Sequence, residues 1–164
     1  PWLVAMLYAG DRKDASNLIR GWLENGNLVL LDRYTYSNIA YQCAKLGKKE
    51  DQEALMKWIL DLEFDHFAIP RPDLNIFLDV PFSFTEKKLS SSRSGNDRKY
   101  LSGSTDIHEE SLAFQKKVRE MYIRVAETDK GLCIVSCADE KGNILTPEVI
   151  SEKVIKLIEK KGLL

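Results

Sequence analysis

"LVLLDRYTYSNIAYQCAK", residues 28–45, decides the fold. Its four leading apolar residues read as a short strand buried on both faces, the pattern of a parallel sheet flanked by helices. Asp32 and Arg33 follow at once, and then a helical pattern puts Tyr34, Asn38 and Tyr41 at i, i+4 and i+7, on one face. Tyr36 is off that face and is expected to pack. Ligands of open parallel sheets gather beyond the carboxyl ends of the strands, which is where Asp32 and Arg33 stand. Arginine offers phosphate a rigid fork of donors, and an acid beside it can orient it or work with magnesium. The alternative is an ion pair tying strand to helix. Tyr34 and Tyr41 can equally be core residues with satisfied hydroxyls. A buried asparagine between them needs partners for both its carbonyl and its amine, and a heterocyclic base can supply them.

Two more apolar runs, "LNIFLDV" (74–80) and "GLCIVSC" (131–137), have the character of Leu28–Leu31, and helical patterns separate all three. The first segment, Trp2 to about Glu24, carries Leu7, Leu18, Ile19, Trp22 and Leu23 at roughly helical spacing and is closed by Gly26. "KKEDQEALMKWILDLEFDHF" (48–67) and "EESLAFQKKVREMYIRVAET" (109–128) are long helical patterns. A last helix starts after Thr146 as N-cap with Pro147 in its first turn, and ends at Gly162 behind basic residues. The predicted order is α, β, α, α, β, α, α, β, α. It describes an α/β domain with a mostly parallel sheet and right-handed crossovers. "LSSSRSGNDRKYLSGST" (89–105) has no periodicity, and a stretch of that length in a compact domain reads as a lid or a disordered loop.

Composition narrows the function. The chain has 164 residues, 44% hydrophobic and 30% charged, enough for one domain with a real core. A net charge of -1 with mixed signs offers no basic stripe to nucleic acid and no lysine-rich helix to a membrane. No apolar run approaches the roughly 18 residues of a membrane helix, and the start lacks the features of a signal peptide, so the chain is expected to stay in the cytosol. Cys43, Cys133 and Cys137 fit no zinc or disulfide pattern and read as reduced, packed thiols. Cys133 and Cys137 would lie about 13 Å apart along a strand, beyond disulfide reach. His66, beside Asp65, reads as a helix-end histidine and not as a metal ligand.

"LLDRYTYSNIAYQCAK" resembles the core signature of thymidylate kinases, which move a phosphoryl group from ATP to dTMP. "LYAGDR" (7–12) is similar to that family's Phe-x-x-x-Arg element with Tyr8 in place of phenylalanine, "RPDLNIFLDV" (71–80) to its fourth strand, and "DIHEESLAFQKKVREMY" (106–122) to the helix after its lid. Several separated motifs in the right order make the match specific. The resemblance implies a three-layer P-loop kinase fold over residues 1–164 as a single domain, with a lid at 90–105. It implies Tyr8 stacked on thymine, Arg12 donating to O4, Ser37 and Asn38 in the dTMP site, and Tyr41 against the sugar, selecting deoxyribose. Arg33 would hold the monophosphate, and Asp32 would arrange phosphates and the Mg2+ that accompanies ATP. In this family the arginine that neutralises the transferred group comes from the phosphate-binding loop or from the lid, often the lid in bacterial forms, and Arg93 and Arg98 would fill that role unless they are solvated loop arginines. Asp106, His108 and Glu109 would lie near dTMP, although Asp106 and Glu109 can also cap a helix. A homodimer is usual for this resemblance, and the apolar faces near Trp2 and Trp22 could supply its interface. "SCADEKGN" (136–143) lies at the ligand end of the sheet, where the adenine site would be.

Such a kinase should carry G-x-x-x-x-G-K-[ST], whose amides and lysine cradle ATP phosphates, and the sequence has none. The resemblance implies that Pro1 falls within the family's third helical segment, with the first two strands and the phosphate loop absent. An incomplete record of a full enzyme is then expected over a truncated product. The 164 residues alone are expected not to transfer phosphate, and Leu28–Leu31 is expected to border an unpaired gap.

Overall fold

A 23-residue helix, α1 (Trp2–Glu24), opens the chain. The computed structural model describes residues 1–90 and 112–164. Most of the expected lid, and with it Arg93, Arg98, Asp106, His108 and Glu109, lies outside the described residues. The chain divides into two compact units, Pro1–Asp73 and Leu74–Leu164.

In the first unit, α1 is followed by α2 (Thr35–Cys43) and α3 (Lys49–Leu60), and α3 runs on into a π-helical turn, Asp61–His66. The inward stripe of α1 is Ala5, Ala9, Arg12, Ser16 and Ile19, a 4-3-4-3 spacing that keeps one side of a helix turned to its neighbours. Its small members let α2 and α3 approach closely. Ile39 and Cys43 of α2 and Leu55 and Ile59 of α3 form the fully buried centre. Of the apolar residues read from the sequence in α1, Ile19 alone turns inward. Ile19 is buried, but Leu7 is 64% and Leu18 59% exposed, and Trp22 and Leu23 are exposed as well. Large apolar side chains set the sequence pattern, whereas close helix packing selected the small ones.

α1 closes as its sequence dictates. Gly26 adopts φ +75°, its N–H bonds to Leu23 O at 2.9 Å, and Asn27 N–H reaches back to Trp22 O at 3.1 Å. Two orphan carbonyls are satisfied by a left-handed residue that glycine takes without strain. We expect Gly26→Ala to lower stability by about 1 kcal/mol through backbone strain alone, because a methyl group there meets no described atom within 4 Å. Gly10→Ala, in the interior of α1 with equal room, should raise it by about 0.5–1 kcal/mol. Urea unfolding of the two variants checks the opposite signs.

Leu28–Leu31, expected as a buried strand, is irregular chain outside any ladder. Leu30 is 91% exposed, and Leu28 and Leu31 are exposed with it. A strand is a paired object: hydrophobicity can mark a segment for a sheet, but neighbours must supply the hydrogen bonds. Among the described residues the sheet has two strands, and this segment is in neither.

The second unit holds that sheet. β1 (Asn75–Asp79) and β2 (Leu132–Ser136) are parallel, in register from Asn75 opposite Leu132 to Asp79 opposite Ser136. Both are the apolar runs picked out in the sequence. Between them come α4 (Phe82–Ser90) and α5 (Leu112–Thr128), and α6 (Pro147–Lys160) follows β2. Val118, Met121 and Val125 line the buried side of α5, and Tyr122 stacks on Phe77 of β1 with ring centroids 4.3 Å apart. Arg119 clamps Asp79 at the end of β1 through two bonds, Nε to Oδ1 at 2.5 Å and Nη2 to Oδ2 at 2.8 Å. Hydrogen bonding to Asp79 raises the already high pKa of Arg119. α6 begins behind Thr146 with Pro147 in its first turn and ends on Gly162 at φ +69°, as the sequence indicates. The mixed α/β class with a parallel sheet flanked by helices therefore holds. No helix among the described residues is long and apolar enough to cross a membrane.

Candidate active site

The polar centre of the first unit is built around a residue that sequence reasoning passed over. Glu63 sits in the π-helical turn with its side chain wholly buried. The turn widens the helix so that Glu63 and Phe64, consecutive in sequence, both point inward, and Phe67 N–H bonds to Leu62 O, five residues back, at 2.8 Å. Basic side chains of α1 finish the turn. Lys13 Nζ donates to Phe67 O at 3.0 Å, and Arg20 donates to the carbonyl of Ala68, which stands at φ +50°. Cations at helix-end carbonyls are favoured by the dipole. His66 closes the turn as a helix-end histidine, its ring 5.5 Å from that of Phe67.

Four donors converge on the Glu63 carboxylate. Arg12, the one charged member of the inward stripe of α1, donates from Nε to Oε2 at 2.6 Å and from Nη2 to Oε1 at 2.5 Å. Thr35, first residue of α2, donates from its hydroxyl to Oε2 at 2.9 Å, and Asn38, one turn later, from Nδ2 to Oε1 at 3.1 Å. Asn38 Nδ2 gives its second hydrogen to Ala5 O at 3.0 Å. The amide donors of Asn38 are thereby spent inside the protein. Its Oδ1 is buried and has no hydrogen-bond partner among the described residues. Such an orphaned acceptor costs about 1–3 kcal/mol and marks a place where a donor is wanted.

Of the other expected site residues of this unit, Tyr34 lies against the network. Tyr34 donates its hydroxyl to Pro70 O at 3.0 Å, and the Arg12 guanidinium carbon lies 5.9 Å from its ring centroid. Burial, then the Glu63 charge, raise the Tyr34 phenol above its ordinary value against smaller opposing effects of Arg12 and Arg20. It therefore remains a donor at neutral pH. Tyr36 is buried, as read from its position off the Tyr34–Asn38–Tyr41 face. Tyr8, one helical turn before Arg12, is exposed. Asp32 and Arg33 are exposed between Leu31 and α2, and Ser37 and Tyr41 are half-buried in α2. Arg33 holds φ +69°, a left-handed conformation uncommon for a residue with a Cβ, and its guanidinium carbon lies 5.1 Å from the Tyr41 ring centroid. Cys43, Cys133 and Cys137 form no disulfide among the described residues, and Cys43 and Cys137 are buried. Burial raises the Cys137 thiol pKa.

Glu63 was overlooked because "LEFDHF" looks like the frayed, charged end of a helix. One signal was present: Leu55, Ile59 and Glu63 recur every four residues, so the acid continues a buried stripe.

Comparison with known proteins extends over both units. The thymidylate kinase family model matches residues 1–146. A probable thymidylate kinase of Thermococcus onnurineus is 34% identical over 156 residues, covering 94% of this chain and 63% of the relative. Probable thymidylate kinase 1 of Saccharolobus solfataricus is 31% identical over 160 residues, 98% of this chain and 69% of its own length. Thymidylate kinase of Mycobacterium tuberculosis is 29% identical over 126 residues, 76% of this chain and 56% of its own length. The chain thus spans 63% of the length of the Thermococcus onnurineus relative. A match that runs from α1 through both strands to the threshold of α6 leaves one conclusion: this chain belongs to the thymidylate kinase family.

Proposed function

We propose that the natural full-length protein transfers the γ-phosphoryl group of ATP to dTMP, giving dTDP and ADP for dTTP biosynthesis. Residues 1–164 are read as part of one kinase domain, because the family match crosses both units. The observation that carries the substrate assignment is the Asn38 amide, its two hydrogens engaged and its Oδ1 buried without a donor. The N3–H of thymine is a donor. Arg12 meets the same Glu63 oxygen as Asn38, and its Nη1 has no acceptor among the described residues, which suits thymine O4.

In the reaction a phosphate oxygen of dTMP attacks the γ-phosphorus in line, the bond to the β–γ bridging oxygen breaks, and ADP leaves with that oxygen. The protein's work is positioning and charge stabilisation. Arg33 is assigned to the dTMP phosphate. Asp32, exposed beside it, is the residue that would hold the Mg2+ accompanying ATP, which would offset the phosphate charge. Tyr8 stacks on thymine from the turn before Arg12, Ser37 lies in the same pocket, and Tyr41 faces the deoxyribose. Arg93 and Arg98 neutralise the moving phosphoryl group, and Asp106, His108 and Glu109 border dTMP. For these five the support is the family resemblance of their sequence. The proposal includes a cytoplasmic homodimer, supported by the exposed apolar ridge Leu3, Leu7 and Leu18 along α1.

A coupled assay on the full-length protein with MgATP tests the reading. Catalytic efficiency should be highest for dTMP among dTMP, dUMP, dCMP and UMP, and a tenfold preference for another acceptor would overturn it. A protein that binds dTMP in calorimetry and turns over none of the four would instead be a non-catalytic nucleotide-binding module.

A further inference from the structure

The Glu63 carboxylate is saturated. Each oxygen takes two donors, Arg12 Nη2 and Asn38 Nδ2 on Oε1, Arg12 Nε and the Thr35 hydroxyl on Oε2. An ionised carboxylate has about four acceptor sites, so none remains to touch a ligand. It also has no hydrogen to give, which constrains everything around it. We infer that Glu63 is a positioning residue that fixes the polarity of the base-reading edge, so that Asn38 presents only an acceptor and Arg12 only a donor to the base.

The constraint acts on Asn38 through geometry. An asparagine amide can turn over about its last side-chain bond and exchange donor for acceptor with almost no change of shape. Turned over here, Oδ1 would face Glu63 Oε1 and Ala5 O, two acceptors, at the 3.1 and 3.0 Å now spanned by hydrogen bonds. The Ala5 carbonyl belongs to the backbone of α1 and cannot change its character. Glu63 is the half of the lock that the sequence can alter. Arg12 is fixed by the same group: with Nε and Nη2 held at 2.6 and 2.5 Å, its plane is set and Nη1 is left to face outward from the pair.

This inference rests on the reading of the site as one for a thymine nucleotide, and it explains discrimination within that reading. Thymine presents O4 as acceptor beside the N3–H donor, whereas cytosine presents an N4 amine beside an N3 acceptor, the opposite pattern. Cytosine would set donor against Arg12 and acceptor against Asn38 Oδ1. If Asn38 could turn over, half of that mismatch would vanish.

Glu63→Gln is the test, made in the full-length protein with dTMP and dCMP as acceptors. Glutamine can donate to a turned-over Asn38 and holds Arg12 with one oxygen in place of two. The dTMP-to-dCMP ratio of kcat/KM should fall by about tenfold or more, with KM for dTMP rising about tenfold and kcat changing less than about threefold, since the phosphate end is untouched. A purely structural loss would lower both substrates together and leave the ratio unmoved; that result, in a protein whose wild type prefers dTMP, overturns the role of Glu63. Should Glu63→Gln fail to fold, Glu63→Asp keeps the charge for Arg12 while drawing the oxygen back from Asn38, and the same fall in ratio is expected. A wild-type protein without dTMP preference overturns the thymine reading itself, and the inference with it.

Discussion

Arg33→Met in the full-length protein is expected to lower kcat/KM for dTMP by about a thousandfold, which corresponds to about 4 kcal/mol of transition-state stabilisation. The magnitude follows from the proposed contact, a charge-assisted fork on a dianionic phosphate that keeps its orientation as the attacking oxygen approaches phosphorus. Two observations argue that this arginine is held for use. Its backbone stays at φ +69°, which costs of order 1–3 kcal/mol for a residue with a Cβ, and its guanidinium lies over the Tyr41 ring. Arg33→Lys should recover only part of the loss, because a point charge lacks the planar fork and the stacking surface. Initial rates at varied dTMP decide the matter. A loss below tenfold for Arg33→Met would remove Arg33 from the phosphate site.

Arg12→Met should have the largest effect on stability, a loss of about 3–5 kcal/mol, because it strands the wholly buried Glu63 carboxylate without its cation. The Arg12 side chain is itself only 15% exposed, so solvent screens the pair little. Removing both charges should be far milder: Arg12→Met with Glu63→Leu leaves no uncompensated ion, although the Thr35 hydroxyl and one Asn38 hydrogen lose an acceptor. Denaturant midpoints of the two single variants and the double variant form a cycle. Additive losses would mean that the ion pair does not couple the residues.

Much of the scaffold was legible because it depends on local chemistry. Gly26 and Gly162 end helices where only a left-handed residue satisfies the last carbonyls, and Thr146-Pro147 starts one where a missing N–H does no harm. β1 and β2 were legible as apolar runs that found each other. Leu28–Leu31 carries the same signal and forms no ladder, since periodicity reports the wish to be buried and not the presence of a neighbour. The polar network of the first unit was half legible in the same sense. Arg12 and Asn38 were singled out through motif resemblance, but the acid that joins them lies 51 and 25 residues away in sequence, and only the fold brings it to them. The burial of Ala5 and Ala9 in place of Leu7 has the same origin, because close approach of helices rewards small side chains that hydropathy ignores.

The widened turn at Asp61–His66 makes this part of the chain more sensitive to its count of residues than to their identity. A substitution at an outward position such as Asp65 leaves the turn its spare residue. Deleting any one residue would let the segment tighten into an ordinary helix, and each residue of an α-helix is worth about 100° of rotation. Glu63 or Phe64 would then swing out of the interior, and the four donors that share one carboxylate would lose it together. Among relatives of different length, gaps are therefore expected on either side of this turn, and within it almost never.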